Sequence, residues 1–268
     1  MKMELMFSSR IFRSSYREAI AYALENGYGG IEWYLNDFRL PLNPGKLEAF
    51  FTALDEAGLY ASFHLPTTDV ELGHRKPRIA RASLEYLKMY VELLSPWLSS
   101  RRYRPPLTLH VGANSIPMEE LHWERTVANL AELADTAGAA GGVLCLENLK
   151  WGWASDPERF SELVDRSGVM VTFDAGHARS SPPVREGRVS LREWVETLAP
   201  RIVHVHLYAY EDWDTGVHVP PRSWDEVAEA YMALRPLKAR GWVLELPDLE
   251  GLERARSVLE SGTGRGKR

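Results

Sequence analysis

The feature that most constrains the fold of this chain is a regular alternation of short β-rich runs with stretches in which apolar residues recur at helical spacing. Eight such runs occur along the 268 residues. They are MELMFSS (3–9), GIEWYL (30–35), YASFHL (60–65), LTLHVG (107–112), VLCLENL (143–149), VMVTFD (169–174), IVHVHLY (202–208) and WVLELP (242–247). Alternation of this kind predicts parallel strands with helices packed outside them.

Eight strand–helix units in a chain of this length predict an α/β fold, a closed (β/α)₈ TIM barrel in a single domain. We expect the barrel to occupy residues 1–260 and a flexible tail, SGTGRGKR, to occupy residues 261–268. A doubly wound open sheet is the alternative. The first strand–helix turn, FSSRIFRSS, lacks the glycine-rich phosphate-binding pattern of such sheets. The sequence therefore favours the barrel.

Composition limits the partners and the surroundings of the protein. The net charge of -5 and pI near 5.9 provide no general attraction to nucleic acid or anionic membranes. The single cysteine, Cys145, excludes an intrachain disulfide and is predicted to be an inert buried thiol. No stretch approaches the roughly 18 to 20 apolar residues of a membrane span. We expect a cytoplasmic protein with no membrane partner, and an oligomer is compatible with the sequence.

Chemistry is concentrated at the carboxyl ends of the predicted strands, which converge on one face of a barrel. The residues there are His64, His110, Glu147, Asp174, His206 and Glu245. Three carboxylates gathered at a low-dielectric mouth repel one another unless cations or protons intervene. A divalent metal resolves this conflict, and nitrogen and oxygen ligands without thiolate suit Mn²⁺, Mg²⁺, Co²⁺ or Zn²⁺.

The positions two residues before these ends are also expected to point into the barrel, because side chains alternate along a strand. Five of them carry small or medium side chains: Ser62, Thr108, Cys145, Thr172 and Val243. The sixth is His204, for which a structural and a functional role both stay open.

The motifs FHLP, LHVG, LENL, FDAGHA, HVHLY and WVLEL follow one another in this order at the spacing of barrel strands. The series resembles the xylose isomerase-like TIM barrel superfamily, which includes sugar epimerases, hydroxypyruvate- and inosose-converting enzymes, and endonuclease IV. The resemblance extends from about residue 28 to 247. Its specificity lies in the order of the motifs, since each motif is short.

The resemblance implies that the shared catalytic metal is bound by Glu147, Asp174, His206 and Glu245. For the sugar-converting members it further implies that Glu147 and Glu245 are an acid/base pair on opposite faces of a ketose, with the metal stabilising an enediolate. His177 matches a histidine that contacts substrate. Two epimerase features are absent: an arginine in the loop LYAYEDWDTG and a glutamate in KWGWAS.

In endonuclease IV the same scaffold holds three zinc ions, and this resemblance implies additional ligands. His64, His110 and Glu147 match the first site, the four shared ligands match the second, and His177 with an Asp-x-His pair forms the third. Here His218 matches the histidine of that pair, but Gly216 stands two positions before it and the nearest acid is Asp214. If only one metal is bound, His64 and His110 become candidate substrate contacts.

Further candidate substrate-binding residues flank the strand ends. Glu32 and Trp33 lie at the end of the second predicted strand, and Trp33 is equally compatible with core packing. Lys150 and Arg179 are candidates for binding a phosphate or carboxylate group, although solvated loop cations have the same sequence pattern.

Three functions remain open at this point. The first is a metal-dependent isomerase or epimerase whose partner is a small carbohydrate: a sugar, sugar phosphate or related polyol. The second is a zinc-dependent nuclease that cleaves at abasic sites, the only alternative with a nucleic-acid partner. The third is a barrel that binds metal and ligand without catalysis. The acidic composition and the incomplete Asp-x-His pair favour the first.

Overall fold

The computed structural model describes residues 3–13, 15–36, 44–112 and 117–264. Within these ranges, eight parallel strands close into a barrel. They are β1 (Glu4–Ser8), β2 (Gly30–Tyr34), β3 (Tyr60–His64), β4 (Pro106–Leu109), β5 (Val143–Glu147), β6 (Met170–Asp174), β7 (Ile202–His206) and β10 (Gly241–Leu244). Around the barrel the order is β1, β10, β7, β6, β5, β4, β3, β2, so the predicted TIM barrel is confirmed.

Helices follow the strands and cover the outside of the barrel. They are α1 (Tyr16–Asn26), α2 (Pro44–Ala57), α3 (Pro77–Leu98), α4 (Trp123–Ala139), α5 (Pro157–Ser167), α6 (Ala175–Ser180), α7 (Pro182–Arg185), α8 (Leu191–Leu198), α9 (Asp225–Leu234) and α10 (Leu249–Thr263). No helix in the described part of the chain is both long and apolar enough to cross a membrane.

The first residues of the predicted tail are helical, because α10 continues to Thr263 and ends at Gly264, whose φ of 71° is left-handed. Residues 265–268 of the predicted tail lie outside the described residues. The sequence also did not predict a small antiparallel hairpin after β7, formed by β8 (Tyr210–Glu211) and β9 (His218–Val219).

Alternation along the strands separates an apolar outer layer from a polar interior. On β6, Phe173 points outward and packs edge-on against Trp194 of α8, with ring centroids 6.0 Å apart. Thr172 points inward, where its hydroxyl lies 2.8 Å from that of Thr108. Cys145 is buried in the same interior layer, and burial raises the pKa of its thiol to about 12, as expected for an unreactive cysteine. This alternation aims the strand-end residues into the barrel mouth.

Candidate metal centre

The carboxyl ends of the barrel strands bring the predicted metal ligands together at one mouth. The last residues of β3, β5, β6 and β7 are His64, Glu147, Asp174 and His206, and His110 and Glu245 directly follow β4 and β10. Five of the six are buried, and the His110 side chain is 17% exposed. Distant segments of the sequence thus meet in one small, poorly solvated volume.

Four of these residues form what we call the central cluster: Glu147, Asp174, His206 and Glu245, whose ligand atoms lie within 4.8 Å of one another. His206 Nδ1 is 3.2 Å from Glu147 Oε1 and 3.1 Å from Glu245 Oε2. Asp174 Oδ1 accepts a hydrogen bond from the backbone N–H of His177 at 2.7 Å, whereas Asp174 Oδ2 is buried and makes no hydrogen bond. A buried carboxylate oxygen that makes no hydrogen bond and lies beside other oxygen and nitrogen ligands fits a divalent cation.

Electrostatics at the central cluster favour positive charge. Burial would lower the pKa of His206, but the carboxylates of Glu32, Glu147 and Glu245 raise it well above the ordinary value. Burial would raise the pKa of Glu147, yet His206 and His110 hold it well below its usual range. Glu245 is likewise kept ionised against its burial, chiefly by His218 and His206. The carboxylates of Glu147 and Glu245 are therefore ionised and require a cationic partner, either protonated imidazole or metal.

A second group, the His64 cluster, consists of His64, His110 and Glu147. The Nε2 atoms of the two histidines lie 3.2 Å apart. Glu147 Oε2 lies 3.2 Å from Nε2 of His64 and 2.9 Å from Nε2 of His110. His64 Nδ1 donates to the carbonyl of Leu65 at 3.0 Å, so its Nε2 lone pair is available as a ligand. Glu147 directs one oxygen to each cluster and is thus placed to bridge two cations.

A third group, the His218 cluster, contains an acid that the sequence did not identify. His177 Nε2 lies 3.2 Å from Glu211 Oε2, and these residues cluster with His218. Glu211 and His218 are paired across the β8–β9 hairpin, which sets the acid opposite the histidine. Asp214, the acid nearest to His218 in the expected Asp-x-His position, is not part of this cluster: it lies exposed in the hairpin turn, where its backbone N–H donates to the Asp212 side chain.

Neighbouring groups fix the imidazoles of the His218 cluster. The Nδ1 atoms of His177 and His218 donate to the carbonyl oxygens of Asn148 and Glu245, at 2.9 and 2.8 Å, which leaves Nε2 available on both rings. Tyr208 stacks on the His218 ring with centroids 4.0 Å apart. A Cβ on Gly176 would approach the Tyr208 ring to 2.1 Å, so glycine is required there.

Beneath the central cluster lies a buried layer formed by Glu32 and His204. Glu32 Oε1 is 2.9 Å from His206 Nε2, and Glu32 Oε2 is 2.9 Å from His204 Nε2. Burial would raise the pKa of Glu32, but His206 and His204 lower it, so the carboxylate is ionised. Glu32 thus lies against His206 and His204 and does not line the pocket, which favours a supporting role in which it orients His206.

The His204 ring fits because of a glycine on the adjacent strand. Gly241 of β10 is paired with His204, and a Cβ on Gly241 would lie 2.6 Å from two atoms of the imidazole. His204, whose role the sequence left open, is buried in contact with Glu32 at 2.9 Å, and this position favours a structural role.

The Glu32→Gln variant is expected to weaken binding of Mn²⁺ at the central cluster about 10–100-fold, because the amide no longer supplies the charge that orients and polarises His206. Isothermal titration with Mn²⁺ measures the effect. The Ser62→Ala variant, which removes only a 3.2 Å hydrogen bond to the same carboxylate, is the matched control and is expected to change the affinity much less. Equal Mn²⁺ affinity in Glu32→Gln and the unmodified protein would contradict the supporting role.

Two other predicted substrate contacts lie away from the mouth. Trp33 points outward from β2 and packs edge-on against Phe50 of α2, with centroids 5.0 Å apart, so it is a core residue. Arg179 donates to the backbone carbonyl of Glu226 at the start of α9. Lys150 does lie at the mouth, but it is buried and its Nζ contacts Glu211 Oε1 at 3.1 Å.

A pocket of about 160 Å³ opens above the clusters. It is lined by Arg10, Tyr34, His110, Leu149, Lys150, Trp151, His177, Glu211, Gly216, His218 and Glu245. Arg10 and Tyr34 were not predicted from the sequence. The Arg10 guanidinium lies 4.6 Å from the centroid of the Tyr34 ring and 3.4 Å from Glu245 Oε1, at the rim of the pocket.

The fold and this mouth define the class of protein: a TIM barrel in which carboxylate and imidazole ligands are gathered at the carboxyl ends of the strands. The chain belongs to the xylose isomerase-like TIM barrel family, whose model matches residues 20–251. The resemblance inferred from the order of the motifs is therefore confirmed.

Individual relatives are distant in sequence. An uncharacterized protein of Methanocaldococcus jannaschii is 24% identical over 198 residues, which cover 74% of this chain and 78% of that protein. A D-tagatose 3-epimerase-like protein superposes with a TM-score of 0.77 at 18% identity over 98% of both chains. The IolI protein, crystallised with a zinc atom, gives a TM-score of 0.75 at 16% identity over 98% of this chain and 99% of its own. At such identities the structural likeness establishes the fold.

Proposed function

We propose that this chain is a divalent-metal-dependent isomerase or epimerase that acts on a sugar, sugar phosphate or related polyol. The observation that carries the proposal is the meeting of Glu147 and Glu245 at one cluster of metal-ligand side chains beneath a pocket of about 160 Å³. The pocket has polar side chains on several sides, as a binding site for a small hydroxylated molecule requires. The D-tagatose 3-epimerase-like neighbour supports a sugar as the substrate class.

When bound, Mn²⁺, Mg²⁺, Co²⁺ or Zn²⁺ would supply a Lewis acid beside the carbonyl and adjacent hydroxyl oxygens of the substrate, which stabilises the charge of an enediolate. In this proposal Glu245, which lines the pocket, removes a carbon-bound proton. Glu147 lies beneath the pocket, fully buried, and in this proposal it returns a proton from the other side. His110 and His177 line the pocket and are placed to bind substrate hydroxyls.

Exchange of solvent deuterium into a panel of ketoses and ketose phosphates tests the proposal, because it reports proton abstraction before any product is identified. With Mn²⁺, Co²⁺ or Mg²⁺ present, we expect exchange into at least one panel member, reduced about 100-fold or more in Glu245→Gln. Glu92→Gln, on the exposed face of α3, is the control and should exchange at the unmodified rate. If a metal-loaded protein exchanges deuterium into no member of a broad panel, the isomerase proposal fails.

A second candidate, hydrolysis of a phosphodiester at an abasic site, is favoured by one specific observation. Glu211 supplies the acid that is absent from the position two residues before His218. Three groups of ligands therefore lie side by side, and Glu147 is shared between two of them. Such an arrangement can hold more than one cation, and adjacent cations stabilise both the attacking and the leaving oxygens of a displacement at phosphorus. The acidic charge of the chain, -5, opposes binding to DNA.

Incubation with duplex DNA that contains one abasic site separates the two candidates. Nicking that depends on Zn²⁺ and is abolished in both Glu147→Gln and Glu211→Gln would favour the hydrolase and replace the first proposal. Intact DNA together with deuterium exchange would favour the isomerase. Metal binding with neither reaction would leave the third function, a barrel that binds ligand without catalysis.

A further inference from the structure

The His218 cluster differs from the other two in having a buried ammonium group against its only carboxylate. The Lys150 side chain is 1% exposed, and its Nζ lies 3.1 Å from Glu211 Oε1. Nζ also donates to the carbonyl of Asp212 at 2.8 Å and lies 4.9 and 5.4 Å from the ring centroids of Trp151 and Trp213. The Lys150 ammonium group is therefore fixed by two oxygen atoms and two indole rings.

Within the described part of the chain, the other two clusters have no buried lysine or arginine against their carboxylates. Among the described residues, no lysine or arginine pairs with Glu147 or Asp174, and Arg10 reaches Glu245 only at 3.4 Å with a side chain that is 44% exposed. The central cluster thus combines three carboxylates with one imidazole. The His218 cluster has one carboxylate and two imidazoles, and Lys150 forms an ion pair with that carboxylate. The carboxylates of the central cluster contact only the Nδ1 side of these two imidazoles, at 3.4 to 3.7 Å.

This difference in charge affects the binding of cations. A divalent ion held by His177, His218 and Glu211 Oε2 would have a fixed positive charge on the far side of the same carboxylate. Repulsion at such short range is poorly screened in a buried site. At the central cluster, three carboxylates surround one imidazole, and this excess of acidic groups attracts the ion instead.

We propose that Lys150 is a built-in counter-cation that makes the His218 cluster the weakest of the three candidate cation sites, filled only after the central cluster is saturated. The inference rests on the metal-binding part of the proposed function, not on the reaction. It applies whether the fully loaded protein is an isomerase or a hydrolase.

Removal of Lys150 is expected to strengthen this site, because Glu211 is held in place independently of the lysine. Ser180 Oγ accepts from the backbone N–H of Glu211 at 2.8 Å and donates to its carbonyl at 3.0 Å. Trp213 Nε1 donates to the Ser180 carbonyl at 2.9 Å, and the β8–β9 pairing sets Glu211 opposite His218. The loss of the lysine therefore removes repulsion without releasing the ligand.

Titration of the metal-free protein with Co²⁺, followed by calorimetry and visible absorption, tests the proposal. In the unmodified protein we expect tight binding followed by a separate weak step. In Lys150→Met the weak step should tighten about tenfold or more, while the tight step is unchanged. Lys150→Arg keeps the charge and should keep the weak step, and Glu211→Gln should lose it.

Equal or weaker binding at the last step in Lys150→Met would overturn the inference, since a merely structural lysine would weaken the site on removal. Lys150→Gln, which replaces the ammonium with a neutral polar group, provides the same comparison if the methionine variant does not fold, as judged by circular dichroism. Absence of any tight Co²⁺ step in the unmodified protein would overturn both this inference and the proposed function. A normal tight step with an unchanged weak step would overturn the inference alone.

Discussion

The Glu147→Gln variant is expected to lose cation binding at the central cluster and, with it, turnover. Glu147 is the one residue common to the central and His64 clusters, and its two oxygens face His206 on one side and His64 and His110 on the other. Removing one charged member of a buried group costs about 3–5 kcal/mol. If that cost appears in the free energy of Mn²⁺ binding, it corresponds to roughly a thousandfold loss of affinity for the ion. Metal content after dialysis, measured by elemental analysis, and calorimetric titration with Mn²⁺ report the change.

The control for this variant is again Glu92→Gln, which makes the same chemical change on an exposed helix face. It should retain the metal content of the unmodified protein. If Glu147→Gln also retained that content, Glu147 would not be a ligand and the shared position assigned to it would be wrong.

Removing the cation by chelation is expected to lower the melting temperature substantially. The side chains of Glu147, Asp174 and Glu245 are buried around His206, and a cation that binds them only in the folded chain stabilises that chain by mass action. An ion present at a thousand times its dissociation constant contributes about 4 kcal/mol. For a chain of this size, that corresponds to roughly 10 °C in melting temperature.

Differential scanning calorimetry with and without EDTA measures this difference. Addition of excess Mn²⁺ to the chelated sample should restore the higher value. A melting temperature that is the same with EDTA, with Mn²⁺ and without either would mean that the buried carboxylates are satisfied by protonated imidazoles alone.

The sequence was sufficient to predict the barrel and the meeting of its strand ends, because both follow from local periodicity. A strand that alternates Thr172, Phe173 and Asp174 can direct only alternate residues inward, and the closed sheet then brings the inward residues of different strands together. The same alternation shows why Glu32 and Trp33, which are adjacent, could not both face the substrate.

The sequence could not determine how far down the barrel a residue lies or which loop residues approach each other. Glu32 points inward as expected, but its position beneath His206 depends on the register of several strands and is a property of the closed barrel. Glu211 is paired with His218 across a hairpin whose turn separates them by several residues, so the two do not form an Asp-x-His pattern in the sequence. The available signal was a glycine-containing turn between two short segments, Tyr210–Glu211 and His218–Val219, which is a pattern typical of a β-hairpin.

The most direct test of the central claim is a crystal structure of the protein grown with Mn²⁺, with anomalous diffraction data collected to locate the ion. We predict an anomalous peak within bonding distance of Glu147, Asp174, His206 and Glu245, with His206 bound through Nδ1. A structure at saturating Mn²⁺ that shows these four side chains hydrogen-bonded only to one another, with no anomalous peak among them, would contradict the claim.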